Sequence, residues 1–243
     1  MEHPENHTPS QNQFLTQFQE YLGEFVYGGI DGSVTTFAVV AGAAGAELNP
    51  SVVIILGFAN LIADGFSMSV GSYLSHKTER ETYEKHRAIE YWEVDHIPDM
   101  EREEIREIYR KKGFEGELLE QVVTVITANR DRWVEVMMKD ELEMVPSAKS
   151  PLKTAAMTYS SFLVVGFIPL LAYVYDYLSQ NPLENKFLIA SLLTSLAFVV
   201  IGYLKAWLNQ TSRWRGVLET LFLGCSAAAL SYFVGDVLAK WIG

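Results

Sequence analysis

The sequence runs to 243 residues, with 30 acidic side chains against 19 lysines and arginines and a formal net charge of −11. That balance argues against a nucleic-acid partner, which would favour a basic patch. The single cysteine, Cys225, excludes an intramolecular disulfide.

Hydrophobic residues make up 49% of the chain, but this average hides a split. Five apolar blocks, at 25–46, 52–74, 154–178, 187–207 and 217–238, each reach the roughly twenty residues that a helix needs to cross about 30 Å of hydrocarbon. Residues 76–153 instead hold nineteen of the thirty acids and fourteen of the nineteen lysines and arginines. The pattern predicts an all-α, polytopic membrane protein with five transmembrane helices and a helical cytoplasmic domain inserted between the second and third. Its divisions are a polar tail at 1–20, membrane helices one and two at 21–75, the inserted domain at 76–153, and helices three to five at 154–243. The tail has neither a basic start nor an apolar core, so no cleaved signal peptide is expected.

The first block carries Asp31 among Gly28, Gly29 and Gly32, with Thr35 one turn later and Gly42 and Gly45 further on. Gly28 and Gly32 form a small-xxx-small pair that permits close helix contact, including contact with a second copy. Asp31 lies only six residues inside the block, so a role as a cap or an interfacial side chain is the alternative to a site in the membrane. The second block places Asn60, Asp64 and Met68 at one-turn intervals, beside a ladder of Ala59, Ala63, Ser67 and Gly71. A carboxylate in mid-bilayer is costly unless it serves a purpose. An acid, an amide and a thioether on one stripe describe an ion path. Carboxylate and amide oxygens combined with a thioether suit a borderline transition metal such as Fe²⁺ better than Mg²⁺ or Ca²⁺. Desolvated carboxylates also exchange protons, so proton-coupled metal transport is a natural reading.

No turn signal follows Leu74, and the second helix is expected to continue through Ser75–Glu93, about 29 Å further at 1.5 Å per residue. His96, Ile97, Pro98 and Asp99 end it, with Asp99 as the expected N-cap of a helix at Met100–Lys112. Gly113 stops that helix. Further helices are expected at Glu115–Ala128 and Asp131–Glu143, before Pro146 and Pro151. Glu90 and Glu93 are three apart, as are Glu101 and Glu104, while Met137 and Glu141 are four apart, so each pair shares a helix face. Five carboxylates and a thioether from three helices could surround divalent ions. The alternative is a solvated acidic surface neutralised by Arg102, Arg106 and Arg110. Glu93 and His96 also read as Glu-x-x-His, half of a di-iron motif, but the second copy that such a site needs is absent from the sequence.

Pro169 is expected to kink the third membrane helix, and Tyr159, Ser160 and Ser161 offer hydroxyls on it. Cys225 reads as a packing residue of the fifth helix, Glu219 as a partner of Arg213 or Arg215, and Asp236 as interfacial. Lys77, Arg80, Lys149 and Lys153 flank the inserted segment, and Lys205, Arg213 and Arg215 flank the fourth-to-fifth turn. By the positive-inside bias, the N-terminus and the inserted domain are cytoplasmic and the C-terminus lies on the far side.

From about Tyr21 onward the sequence resembles the vacuolar iron transporter family. The resemblance rests on Gly29-Ile30-Asp31-Gly32-Ser33, on Ala63-Asp64-Gly65-Phe66-Ser67-Met68 leading into Gly71-Ser72-Tyr73-Leu74, and on Met137-Met138-Lys139-Asp140-Glu141-Leu142. It implies a homodimer whose first helices line a central path, with a helical cytoplasmic domain that gathers metal. It also implies export of Fe²⁺ from the cytosol, into a vacuole or out of the cell, driven by inward proton flow. By matching position, Asp31 and Met68 are the implied membrane ligands, and Glu90, Glu93, Glu101, Glu104, Met137 and Glu141 the implied cytoplasmic ligands. One departure stands out: Asn60 occupies a position where the family carries a glutamate, and the acid appears one turn later as Asp64. The expectation is that Asp64 takes over the proton-linked role, on a transport path made of Asp31, Thr35, Asn60, Asp64 and Met68.

These readings make the chain a proton-coupled divalent-metal antiporter exporting Fe²⁺ for detoxification or storage, not an enzyme, with no prosthetic group. It would reside in the inner membrane of a prokaryote or a vacuolar-type membrane of a eukaryote. Two alternatives remain open: a transporter of Mn²⁺ or another divalent transition metal, and a membrane-anchored metal sensor or buffer.

Overall fold

Small residues set the packing of the membrane-length helices. The structure, a computed structural model, describes residues 20–179 and 183–242, so the tail expected at 1–20 falls outside it up to residue 19. All regular structure among the described residues is helical: α1 Leu22–Gly45, α2 Pro50–His96, α3 Pro98–Lys111, α4 Gly116–Thr127, α5 Arg130–Asp140, α6 Pro151–Gly166, a 3₁₀ turn Ile168–Leu170, α7 Leu171–Leu178, α8 Lys186–Leu208 and α9 Arg213–Ile242. Five stretches are long and apolar enough to cross a membrane: α1, α2, α6 to α7 taken together, α8 and α9. Contacts divide the chain into two compact units, one made by residues up to Tyr73 with those from Ser150 onward, the other by Leu74–Lys149.

In the first unit α1 packs against both α6 and α9. Its glycines make this possible. A Cβ on Gly32 would sit 2.5 Å from the Phe162 carbonyl oxygen and 2.9 Å from its Cα, and one on Gly28 would strike Ser161 Oγ and the Thr158 carbonyl. These neighbours are mostly backbone, so the two helices meet at a distance that only glycine allows. Further along, a Cβ on Gly45 would strike the Tyr232 carbonyl of α9, and one on Gly235 of α9 would strike the Gly42 carbonyl. Some hydroxyls buried in the bundle are satisfied within their own helices, Ser33 Oγ donating to the Gly29 carbonyl at 2.7 Å and Thr194 Oγ1 to the Ala190 carbonyl at 2.7 Å, whereas the buried Thr36 hydroxyl has no partner. One face of α2 touches this bundle through Gly57 against Leu170 and Gly65 against Phe162 and Tyr159. The other face is uncovered, with Ala59, Ala63, Asp64, Ser67 and Gly71 all exposed.

Pro169 acts as expected, since α6 ends at Gly166 and a 3₁₀ turn precedes α7. Four local expectations are corrected. The helix predicted from Met100 begins at Pro98, with Ile97 and not Asp99 in the N-cap position; proline lacks the N–H that the first turn leaves unpaired, and its fixed φ suits that position. Glu219 pairs with Lys205 of α8 at 3.1 Å in place of an arginine on its own helix. Cys225 is exposed on the surface of the chain and is not packed inside it. The last helix of the second unit is also shorter than expected, running over Arg130–Asp140, with Asn129 accepting from Arg132 N at 2.9 Å as its cap.

The second unit is built from the distal part of α2 with α3, α4 and α5 around Val94, Ile105, Leu119, Val123, Ile126, Trp133, Val134, Met137 and Met138. Gly113, at φ 93, ends α3 in a conformation that glycine adopts freely.

Overpacking the α1–α6 contact gives a direct test. Gly32→Val should destabilise the protein by about 1–3 kcal/mol, seen as a lower melting temperature in detergent. Gly23→Ala, where a Cβ would meet Leu208 only at 3.8 Å, should leave it unchanged.

Candidate metal centre

Two pairs of acids reach one another because α2 and α3 are joined by Ile97 alone, so the chain turns back at once. Glu90 and Glu93 lie three residues apart at the end of α2, beyond its apolar part, and Glu101 and Glu104 lie three apart in the first turns of α3. A ligand oxygen from each of Glu90, Glu93 and Glu101 falls within 4.8 Å of the other two. Glu90 is 4% exposed and Glu101 2%, and each has a buried carboxylate oxygen with no hydrogen-bond partner.

The arginines that could have neutralised this group are committed elsewhere. Arg106 pairs with Glu103 and, at 2.8 Å, with Glu120. Arg102 approaches Asp99 at 4.0 Å and lies over the Trp133 ring, while Arg110 approaches Glu103 at 4.0 Å. Among the described residues no cation forms an ion pair with Glu90, Glu93, Glu101, Glu104 or Glu141. A solvated, neutralised acidic surface therefore does not describe Glu90 and Glu101.

Burial and mutual repulsion act on these groups together. Burial, then Glu104 and Glu90, push Glu101 up to about 8. Burial, then Glu141 and Glu93, push Glu90 up to about 7. Glu104 is raised by burial and by Glu93, and Glu141 by burial and by Glu104. Each causal chain runs through other members of the set, so the five carboxylates form one electrostatic cluster contributed by α2, α3 and the residue after α5. Met137, fully buried one turn before Glu141, shares a core with Val94 and Ile105, which directly follow Glu93 and Glu104. Buried carboxylates without cations are strongly unfavourable unless protons or a metal ion balance them. Carboxylate oxygens with one thioether are a donor set for a divalent transition metal.

Ion pairs on the outside fix the helices that carry these groups. Arg130 makes two bonds to Asp95, at 2.7 and 2.6 Å, and lies over the Tyr91 ring, tying α5 to α2. Lys112 reaches Asp140 at 2.5 Å. Sequence reasoning did not single out Trp133. It is 4% exposed, its indole N–H has no partner, and it lies one turn before Met137; that four-residue spacing was the available signal. His96 does not join the acids: it is exposed, with Nδ1 2.8 Å from the Trp92 carbonyl oxygen and its ring stacked on Trp92.

In the other unit Asp31 is half-buried on α1, and Thr35 Oγ1 donates to the Asp31 carbonyl at 2.9 Å, so that hydroxyl serves its own helix. Asn60 is half-buried with an amide nitrogen that lacks a partner, Met68 is half-buried, and Asp64 is exposed on the uncovered face of α2. Asp31 and Asp64 are close enough for their charges to interact.

The sequence profile of the VIT family matches residues 22–236. A vacuolar iron transporter of Toxoplasma gondii is 30% identical over 249 residues, covering 100% of this chain and 80% of the relative. Vacuolar iron transporter 1 of Eucalyptus grandis is 30% identical over 88% of this chain and 84% of its own length. The protein of the same name from Arabidopsis thaliana is 30% identical over 90% and 86%.

The raised acids give a pH prediction with a definite sign. A carboxyl group whose pKa is higher in the fold than in the unfolded chain favours the fold while protonated, and that contribution is lost as the group ionises. Metal-free protein should therefore lose stability as pH rises through about 7 for Glu90 and about 8 for Glu101. A melting-temperature series from pH 6 to 9 should fall for the wild type, and Glu90→Gln/Glu101→Gln should flatten it.

Proposed function

This chain belongs to the VIT family, and from that membership we propose that it is a proton-coupled antiporter exporting Fe²⁺ from the cytoplasm. Its relatives are named as transporters and not as enzymes, which makes metal movement across a membrane the activity to explain. The observation that carries the proposal is the cluster of five carboxylates with no lysine or arginine partner among the described residues, two of them almost wholly buried. In this reading Glu90, Glu93, Glu101, Glu104 and Glu141 with Met137 gather the metal on the cytoplasmic side. Asp31, Asn60, Asp64 and Met68 pass it through the bilayer. Thr35 is left to its own helix.

Asp64 also supports a homodimer. A carboxylate facing hydrocarbon is costly, and membrane proteins turn such groups toward protein or a water-filled path. Ala59, Ala63, Ser67 and Gly71 on the same uncovered face are small enough for a second copy to approach closely. Two copies meeting there would enclose Asp64 in a shared path. The lysines and arginines flanking the 74–149 unit and the turn before α9 support a cytoplasmic N-terminus and acidic unit. The two thioethers favour Fe²⁺ over Mn²⁺, which an all-oxygen site would accept as readily.

Proteoliposomes holding the full chain, with anaerobic Fe²⁺ outside and an imposed pH gradient, should show iron entry coupled to proton exit. Asp64→Asn should remove the coupling, and Glu101→Ala/Glu104→Ala should weaken metal capture by at least about tenfold, or 1.4 kcal/mol. Proton coupling retained in Asp64→Asn would reject the role given to that residue. Metal binding with no flux would make the protein an anchored buffer.

Cross-linking tests the dimer. Ala63→Cys in a Cys225→Ser background should form a disulfide-linked pair in the membrane, because a bridge needs Cα atoms within about 7 Å. Leu192→Cys, on the exposed side of α8, should not.

A further inference from the structure

A cleft of about 570 Å³ lies where the turn between α8 and α9 meets the start of α1. Its apolar floor is made by the buried Leu22 and Ala206, its polar rim by the exposed Gln210, Thr211 and Arg213, and the exposed Trp207 and Leu208 complete the lining. Because α8 and α9 are both membrane-length helices, the short turn joining them lies at a bilayer surface, at the depth of lipid headgroups. Trp207 and Trp214, the latter 78% exposed, are placed as an interfacial aromatic belt.

The charge at this cleft is unbalanced in one direction. Lys205 is neutralised by Glu219 at 3.1 Å. Arg213 and Arg215 have no carboxylate partner among the described residues, in a chain whose formal net charge is −11. The Arg213 guanidinium is held 5.3 Å from the Tyr203 ring centre, which orients it without neutralising it. The turn's own N–H groups are largely used, Thr211 N donating to the Ala206 carbonyl at 2.9 Å and Gln210 N to Trp207 at 3.3 Å. Side chains, chiefly arginine, therefore supply the donors that an anion would meet.

We propose that this cleft binds the headgroup of an anionic phospholipid. The phosphate sits on Arg213 with Gln210 and Thr211, Arg215 adds charge at the edge, and the glycerol and upper acyl carbons lie on Leu22, Ala206 and Leu208. A free phosphate would satisfy the rim but leave the apolar floor unused, and a neutral zwitterionic lipid would use the floor but leave the arginines uncompensated. Basic pockets at the ends of membrane helices recognise anionic headgroups on these terms. A lipid seated here spans the α8–α9 turn and the first residue of α1, and so braces the helix that carries Asp31. This last consequence rests on the transport reading, whereas the binding itself does not.

Native mass spectrometry of the full-length protein, titrated with phosphatidylglycerol or phosphatidylcholine of matched chains, tests the site without requiring flux. Phosphatidylglycerol should be retained preferentially, and each of Arg213→Gln and Arg215→Gln should weaken that retention by about fivefold. Lys240→Gln, at the other end of α9, should not weaken it. Circular dichroism and gel filtration of the variants check that the fold survives, which exposed arginines permit. Equal retention of the two lipids, or retention unchanged in both arginine variants, would overturn the proposal. So would displacement of the lipid by millimolar inorganic phosphate, which would mark a phosphate site that does not need a membrane. If the site stands, phosphatidylglycerol should raise the melting temperature of the wild type and not of Arg213→Gln/Arg215→Gln, whatever the flux assay shows.

Discussion

A carboxylate removed from bulk water must find a positive charge or a proton, and most of the polar architecture of this chain follows from that requirement. In the 74–149 unit the acids outnumber the cations, and the distribution of partners matters more than the total. Arg106 is held between Glu103 and Glu120, Arg130 by Asp95, and Lys112 by Asp140. Exposed ion pairs of this kind contribute little stability one by one, typically about 0–1 kcal/mol. Their larger effect is to fix α3, α4, α5 and the end of α2 with Arg106, Arg130 and Lys112 paired to acids other than Glu90 and Glu101. The centre is left negative, and a divalent cation or protons must complete it.

The same requirement takes a different form among the membrane-length helices. Here close approach is achieved with glycine, and the buried hydroxyls of Ser33, Thr194 and Thr220 bond back to their own helices and not to neighbouring ones. Asp31 and Asp64 stand out against that background. One is half-buried on α1, and the other faces outward on α2 beside a ladder of small side chains. An isolated chain with Asp64 toward hydrocarbon is unfavourable, and the second copy proposed above would relieve it.

Much of this was legible from residue spacing. The apolar blocks located the five membrane-length helices, the uninterrupted helix formers after Leu74 predicted the extension of α2, and the three-residue spacings put the acid pairs on shared faces. What spacing could not show is which cation goes with which acid. Sequence separation lets Arg106 reach Glu103 one turn back, but only the packing of α3 on α4 brings Glu120 to it as well. Glu219 was misassigned for the same reason, because Lys205 is fourteen residues away in sequence but lies opposite on the antiparallel helix. The outward face of Cys225 and of Asp64 was also hidden, since an all-round apolar helix carries no mark of which side meets its neighbours.

In the transport reading proposed above, the raised acids bear on whether the cluster would store metal or pass it on. Metal ligands must be deprotonated to bind, so a site whose carboxyls hold protons near neutral pH binds metal more weakly than its donor set alone would allow. Glu90 and Glu101 are in that position because burial and their acidic neighbours act in the same direction. A pure buffer gains from pairing its acids with hydrogen-bond donors that keep them ionised, and here the buried oxygens have none. In that reading protons and metal would compete for the same atoms near neutral pH. Such competition keeps capture reversible, which favours hand-over to a path through the membrane over retention.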